Sequence, residues 1–183
     1  MKKPLKLTVG FLVLCALAAL AGPARADSPG PYYATPSWDQ TLPSTTRFIV
    51  LSNFSSAAVL DRETGLVWEK SPDTNTFQWS TSAATIACAN KSVGGRKGWR
   101  LPSINELASL IDPSVPIPGP TLPAGHPFTN VQSDAVYWSA TTNASFDSSA
   151  WIVGFGDGNV NTGAKTVANP VWCVRGGGVL DNY

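Results

Sequence analysis

Two cysteines in the body of the chain, Cys88 and Cys173, constrain its fold more than any other pair of residues. A bridge between them would close a loop of about 86 residues, which the chain-entropy model values at about 4 to 5 kcal/mol. An even, minimal set of cysteines is normally bridged in an oxidising compartment, whereas two free buried thiols are the alternative. The bridge therefore depends on the compartment, and the start of the chain indicates which compartment applies.

The first 26 residues have the three parts of a cleavable signal peptide. Residues 2–6 carry three lysines, residues 7–21 form an apolar run, and residues 24–26 have the small-x-small pattern of a cleavage site. We therefore predict cleavage between Ala26 and Asp27 and export of the mature protein.

Two other interpretations of the leader are a transmembrane anchor and lipidation at Cys15. A spanning helix needs about 20 apolar residues, but this run is interrupted by Gly10 and ends at Gly22-Pro23. Leu14 stands before Cys15, where a lipidation signal has a small residue. Export is therefore the preferred interpretation, and it favours the bridged state of the two remaining cysteines.

Loss of the leader reverses the sign of the net charge. The full chain has 13 basic and 12 acidic residues, and the leader holds four of the basic ones, Lys2, Lys3, Lys6 and Arg25, and no acid. Nine basic residues then remain against twelve acidic ones, a formal net charge of −3. A nucleic-acid partner would require a basic face. We therefore predict no nucleic-acid partner. A separate prediction is that the mature protein has no transmembrane segment.

The mature chain of about 157 residues suits one domain. Residues 27–46 are rich in Pro, Ser and Thr and predict an extended arm. Residues 47–176 carry the strand and helix signals of the folded domain, and residues 177–183 are predicted to be a flexible tail.

The elements of the domain predict an α+β fold, because both helices precede most of the sheet. One helix is predicted over 80–90, with Cys88 facing inward, and a second begins with a capping box of Ser103 and Glu106. A turn at 157–159 predicts that the last two strands pair as antiparallel neighbours. Strands are predicted over 48–51, 57–60, 66–68, 99–101, 136–139, 151–155 and 171–175.

Several short motifs follow one another in an order that periodicity does not explain. They are Asp61–Trp68, the helix with Cys88, Gly98–Ser103, Glu106-Leu107, Tyr137–Ser139, Trp151 and Trp172–Arg175. Together they resemble the Lcl C-terminal domain family, named for the C-terminal domain of the Legionella collagen-like adhesin. The resemblance covers residues 47–176. It implies a single C-type lectin-like domain, related to the formylglycine-generating-enzyme group, with two short helices and a mainly antiparallel twisted sheet.

Most residues of these motifs are predicted to build the domain. Large rings on or beside strands usually fill the core, although a sugar-stacking platform is the alternative for the tryptophans. Arg100 and Arg175 are expected to form structural ion pairs. The residues with predicted structural roles are Trp68, Trp99, Arg100, Leu101, Pro102, Glu106, Trp138, Trp151, Trp172 and Arg175.

An enzyme would need groups that move protons, attack a substrate or hold a metal. The one histidine, His126, lies in a proline-rich loop over 115–127, and the sequence has no Gly-x-Ser-x-Gly elbow. The formylglycine-generating relatives use a reactive cysteine pair, whereas the pair here is assigned to the bridge. We therefore predict no catalytic residue and no enzymatic activity.

Polar loops over 141–149 and 156–170 are the predicted ligand-binding loops, because rigid scaffolds often carry recognition residues in such loops. Plain solvated connections are the alternative. The candidate ligand residues are Asn143, Asp147, Asp157, Asn159, Asn161 and Lys165. Calcium prefers carboxylate and amide oxygens of this kind, but the acidic triplets of sugar-binding C-type lectins are absent. We predict no cofactor and no metal ligand, with calcium as the alternative.

The preferred function is an exported bacterial recognition module, for surface adhesion or glycan binding. The glycosaminoglycan binding that the resemblance implies transfers poorly to this chain, because a polyanionic ligand needs a basic patch and the mature chain is net acidic. Lys91, Arg96, Lys97 and Arg100 are the only local candidates for such a patch. The alternatives are a structural or assembly component of the cell envelope and an enzyme of unfamiliar type. The sequence identifies neither the ligand, a glycan or a protein, nor the final location in the periplasm, at the surface or in the medium.

Overall fold

The computed structural model describes residues 42–177. The elements are α1 (Ser44–Arg47), β1 (Phe48–Val50), a 3-10 turn (Ser52–Phe54), β2 (Ala58–Asp61), β3 (Val67–Glu69), β4 (Thr76–Gln78), α2 (Ala83–Asn90), α3 (Ile104–Ala108), β5 (Val136–Thr142), β6 (Ser149–Gly154), β7 (Asn159–Ala164), β8 (Ala168–Pro170) and β9 (Val174–Arg175). The predicted signal peptide, its cleavage site at Ala26 and Asp27, most of the arm and the tail beyond Gly177 lie outside the described residues. Within residues 42–177, no helix combines the length and the apolar character that a membrane span requires.

The strands form three sheets with the orders β1-β2-β3-β9, β4-β8 and β5-β6-β7. Every paired strand runs antiparallel to its neighbour. Helices α2 and α3 lie between β4 and β5 in the chain. The mixture of few helices and antiparallel sheets confirms the α+β class. In the first sheet Trp68 pairs with Val59 on one side and with Val174 on the other, so the last strand returns to the first part of the domain.

The predicted pairing of the last two strands is wrong. The turn at 157–159 leads into β7, which pairs with β6, whereas β9 pairs with β3. β7 is an edge strand whose side chains are exposed or half-buried. It therefore lacks the apolar alternation by which a half-buried strand is detected in a sequence. The segment 156–170, predicted to be a ligand loop, is mostly strand.

The predicted strand over 99–101 is also wrong. Only Arg100 pairs there, through two backbone hydrogen bonds of 2.8 and 2.9 Å with Val174. Pro102 follows shortly after, and its nitrogen has no hydrogen to extend the pairing.

The helix boundaries follow local backbone chemistry. The capping box of Ser103 and Glu106 is present at the start of α3, as predicted. α2 begins at Ala83, later than predicted, because Ser82 adopts a left-handed φ of 58°. α1 covers residues 44–47, so the predicted extended arm ends in a helical turn.

Trp172 lies at the centre of the aromatic core. It is fully buried, and the ring centroids of Phe128, Phe155, Trp68 and Tyr137 lie 4.9, 5.3, 5.8 and 6.0 Å from its own. Three of these contacts are edge-to-face and the Tyr137 contact is tilted. Such aromatic pairs contribute about 0.5 to 1.5 kcal/mol each beyond their burial. The segment that contains Trp172 is therefore fixed strongly by packing.

Cys88 and Cys173 form the predicted disulfide, with Cα atoms 5.4 Å apart. The bridge ties α2 to the residue next to Trp172. Glu69 fixes the same segment: its side chain accepts the backbone N–H of Cys173 at 2.9 Å, and its carbonyl oxygen accepts Nε1–H of Trp172 at 2.8 Å. A covalent bond, two hydrogen bonds and the aromatic core thus converge on two consecutive residues.

Replacing Cys88 and Cys173 together by alanine is expected to lower the free energy of unfolding by about 2 to 5 kcal/mol, because the unfolded chain regains the entropy that the closed loop removes. Urea unfolding of the variant and of the wild type measures the difference. The wild type in reducing agent should show a similar loss. Equal midpoints in all three samples would contradict the stabilising role of the bridge.

Candidate functional site

The four basic residues predicted as a polyanion site divide into two pairs. Lys91 and Arg100 form ion pairs with carboxylates of the domain. Arg96 and Lys97 form no ion pair with any residue in the range 42–177. The predicted cluster is therefore only half available to a ligand.

Lys91 is neutralised by two carboxylates. Its Nζ lies 2.8 Å from Oε1 of Glu69 and 2.7 Å from Oδ2 of Asp73. Burial alone would lower the pKa of Lys91, but the hydrogen bonds and charges of these carboxylates outweigh burial, and the pKa lies above its usual value. Lys91 therefore stays charged, and it holds Glu69 in place beside Cys173.

Arg100 is also committed to the domain. Its guanidinium donates to both carboxylate oxygens of Glu106, at 2.7 and 2.6 Å, and to the carbonyl oxygen of Gly176 at 2.8 Å. Burial alone would raise the pKa of Glu106, but Arg100 and the capping interactions with Ser103 hold the pKa below its usual value. The structural ion pair predicted for Arg100 is thus present.

Arg175 joins Arg96 at the ring of Phe54, and the exposed Lys97 follows Arg96 in the chain; this surface of Phe54, Arg96, Lys97 and Arg175 is here named the cationic face. The guanidinium carbons of Arg96 and Arg175 lie 4.9 and 5.7 Å from the centre of the Phe54 ring. Cation–π contacts of this kind orient a guanidinium without neutralising its charge. The ion pair predicted for Arg175 is not found among residues 42–177.

A tight glycine turn places Arg96 over the ring. Val93 pairs with Arg96 across Gly94 and Gly95, which both have positive φ. A Cβ atom on Gly94 would lie 2.3 Å from the carbonyl oxygen of Phe54, so no side chain fits there. The turn therefore packs directly on the backbone of Phe54, and this contact sets the position of Arg96.

The predicted ligand residues are separated by the length of β6. Asn143, Asp147 and Lys165 lie at one end of the β5-β6-β7 sheet, Asp157 and Asn159 lie at the other end, and Asn161 lies between them in β7, opposite Ile152. They therefore do not form one site.

At the first end of the sheet, the contacts centre on Lys165. Its N–H donates to the carbonyl oxygen of Ser148 at 2.9 Å, and its Nζ donates to Oγ1 of Thr142 at 3.2 Å. The same Nζ lies 4.1 Å from the centre of the Trp79 ring, so it covers one face of that indole. Phe146 projects at this end with 67% of its surface exposed. Sequence reasoning singled out neither Trp79 nor Phe146 as a site residue.

The second end is a turn. Oδ1 of Asp157 accepts the N–H of Asn159 at 3.0 Å, and Gly158 adopts a φ of 72°. In the part of the chain that the structure describes, no group of three or more His, Cys, Asp or Glu side chains is placed to hold a metal ion. The carboxylate of Asp157 is thus used for turn formation.

His126 lies against the aromatic core. Its ring stacks on Phe128 with centroids 5.9 Å apart, and its buried Nδ1 has no hydrogen-bond partner among residues 42–177. Burial lowers the pKa of His126. Among the described residues no acid, base or nucleophile is hydrogen-bonded to the His126 ring, and the absence of enzymatic activity stays a prediction.

The tryptophans with predicted structural roles differ in burial. Trp68, Trp138 and Trp172 are fully buried and Trp99 is 2% exposed, so these rings are part of the core. Trp151 is half-buried on β6. The four buried rings are thus unavailable as a sugar-stacking platform.

Comparison with known families settles the classification. Residues 57–175, well over half of the chain, match the model of the Lcl C-terminal domain. The chain belongs to the Lcl C-terminal domain family. No curated protein matches it. Within this Lcl C-terminal domain, Arg96, Lys97 and Arg175 lie inside the matched range and Phe54 lies just before it. Family membership makes the chain an adhesin-related module.

The pair of Arg100 and Glu106 predicts a pH dependence of stability. Because the folded pKa of Glu106 lies below the ordinary value of 4.5, the charged carboxylate stabilises the domain fully above that value, and this contribution is lost as the pH falls through the folded pKa. Glu106→Gln preserves the capping geometry. The variant should be less stable than the wild type at neutral pH, and the difference should shrink in acid. Urea unfolding of both proteins across this range measures it, and a constant difference would contradict the assignment.

Proposed function

We propose that this protein is an exported, non-enzymatic recognition module that binds anionic glycans through its cationic face. Membership of an adhesin-related family supports a binding role. The leader over residues 1–26 has the composition of a signal peptide, which supports action outside the cytoplasm.

The observation that carries the proposal is the charge state of the cationic face. Arg96 and Arg175 lie over the same ring, Lys97 is adjacent to Arg96 in the chain, and none of the three has a carboxylate partner within residues 42–177. By contrast, the buried Arg47 pairs with Asp61 and Glu63. Arg96 also donates to the carbonyl oxygen of Asn53, which is a neutral partner. Cations without a carboxylate partner create a local positive potential in a mature chain whose net charge is negative.

The chemistry of the face suits sulfate and carboxylate groups. A guanidinium presents a planar fork of donors that matches the two oxygens of a carboxylate or sulfate. Contacts with Phe54 hold two of these forks in place, which lowers the entropy lost on binding. Exposed charge contacts are individually weak and screened by salt, so we expect moderate affinity that falls as the ionic strength rises.

Lys165, among the predicted ligand loops, is less available to an anionic ligand than the cationic face is. Its charge is directed at the Trp79 ring and at Thr142, so that end presents one partly covered cation and one partly covered indole. The cationic face therefore supports the proposed function better than the predicted ligand loops do.

Binding of a sulfated glycosaminoglycan fragment to the purified exported protein tests the proposal. Arg96→Gln and Arg175→Gln should each weaken binding several-fold, and the double variant should weaken it by more than about tenfold, a loss near 1.4 kcal/mol. Isothermal titration calorimetry at two salt concentrations measures both effects.

Arg62→Gln is the matched control, because Arg62 is an exposed arginine outside the cationic face. It should bind like the wild type, and a neutral dextran fragment should not bind. Unchanged affinity in the Arg96 and Arg175 variants, or an equal loss in the Arg62 variant, would contradict the proposed site.

A further inference from the structure

The chain joins the described domain at a fixed point. The N–H of Leu42 donates to Oε1 of Glu63 at 2.6 Å, and the hydroxyl of Ser44 donates to the carbonyl oxygen of Ala124. These bonds set the place from which residues 27–41 leave the domain. That segment lies outside the described residues and is here named the N-terminal arm.

The same point forms one wall of an apolar groove of about 460 Å³, here named the entry groove. Pockets of about 300 to 1,000 Å³ are the usual size for enclosing a ring-containing small molecule. The entry groove therefore has room for an aromatic side chain, and the N-terminal arm starts at its wall. The apolar lining is Leu42, Pro43, Ile111, Pro113, Pro123 and Ala124.

A second apolar groove, of about 390 Å³, continues from the entry groove. Ile111 and Pro113 line both grooves, so the two grooves meet at these residues. The second groove extends past Val115 and Pro116 to Ile117, which is 69% exposed. A continuous apolar trough thus begins where the N-terminal arm joins the domain.

The charged side chains that line the trough are already engaged within the domain. Arg47 pairs with two carboxylates. Asp112 accepts two hydrogen bonds from Ser114, and Asp157 accepts the N–H of Asn159. The trough therefore suits an apolar occupant better than a charged ligand.

The N-terminal arm carries side chains that fit such a trough. Its fifteen residues include Tyr32, Tyr33 and Trp38, whereas segments that stay solvated are typically poor in aromatic residues. Trp38 lies four positions before Leu42 and Tyr33 lies nine before it. A fully extended chain places them at most about 14 and 32 Å from Leu42. Trp38 therefore reaches the entry groove, and the tyrosines reach beyond it.

The N-terminal arm also has an advantage over a separate partner. A short tether gives the attached segment an effective concentration in the millimolar range. The fixed start of the arm lowers the entropy lost on docking, and each aromatic ring that docks buries about 150 to 250 Å². These terms favour the arm over a second copy or an unrelated protein as the occupant of the trough.

We infer that the N-terminal arm folds back along the trough, with the ring of Trp38 in the entry groove and Tyr32 and Tyr33 over the second groove. The arm then belongs to the folded module and covers exposed apolar side chains such as Ile117. The inference is independent of the cationic face and of its ligand.

Nuclear Overhauser effects measured on the purified exported protein test the inference directly. Ring protons of Trp38 should show effects to the methyl groups of Ile111 and Ala124. An equimolar mixture of isotope-labelled and unlabelled protein, filtered for contacts between copies, should show none. Absence of the effects from the uniformly labelled protein, or their presence between copies, would overturn the inference.

Digestion with chymotrypsin, which cleaves after Tyr and Trp, measures the protection of the whole arm. Ala124→Gln places a longer polar side chain in the entry groove and leaves the arm sequence unchanged. Because cleavage follows the population of the undocked arm, this variant should be cut within the arm about tenfold faster than the wild type. Mass analysis of the fragments identifies the cleavage sites.

Ala89→Gln is the matched control, because Ala89 is an exposed alanine on α2, away from the trough. Its arm should be cut as slowly as that of the wild type. Equal rates in the wild type and in the Ala124→Gln variant, or an equal acceleration in the Ala89→Gln variant, would contradict the docked arm.

Discussion

The bridge between Cys88 and Cys173, next to Trp172 in the aromatic core, is the constraint on which the rest of the structure depends. It fixes the segment that leads into β9, and β9 completes the first sheet. Arg175 ends that strand, and the pairing of β9 carries it to Phe54. The position of this surface charge is therefore a consequence of the covalent bond and the core packing of the residues that come directly before it in the chain.

The parts of the fold with local or covalent signals could be predicted from the sequence. The capping box at Ser103 and the bridge depend on residue types whose chemistry permits few alternatives. β7 could not be predicted, because a solvated edge strand needs no apolar pattern. The candidate site was half predictable: Arg96 and Lys97 are adjacent in the chain, whereas Arg175 joins them only through the fold. Lys91 is not available to a ligand, because the fold pairs it with carboxylates from β3 and from the segment that follows β3.

We propose that the ligand binds at the cationic face, where Arg96 and Arg175 contact Phe54 and Lys97 follows Arg96. NMR titration of the isotope-labelled protein with a sulfated oligosaccharide tests it most directly, because backbone and arginine side-chain signals report each position separately. The chemical-shift changes should concentrate in residues 53–54, 94–98 and 175. Shifts confined to the region of Lys165, or none at saturating ligand, would contradict it.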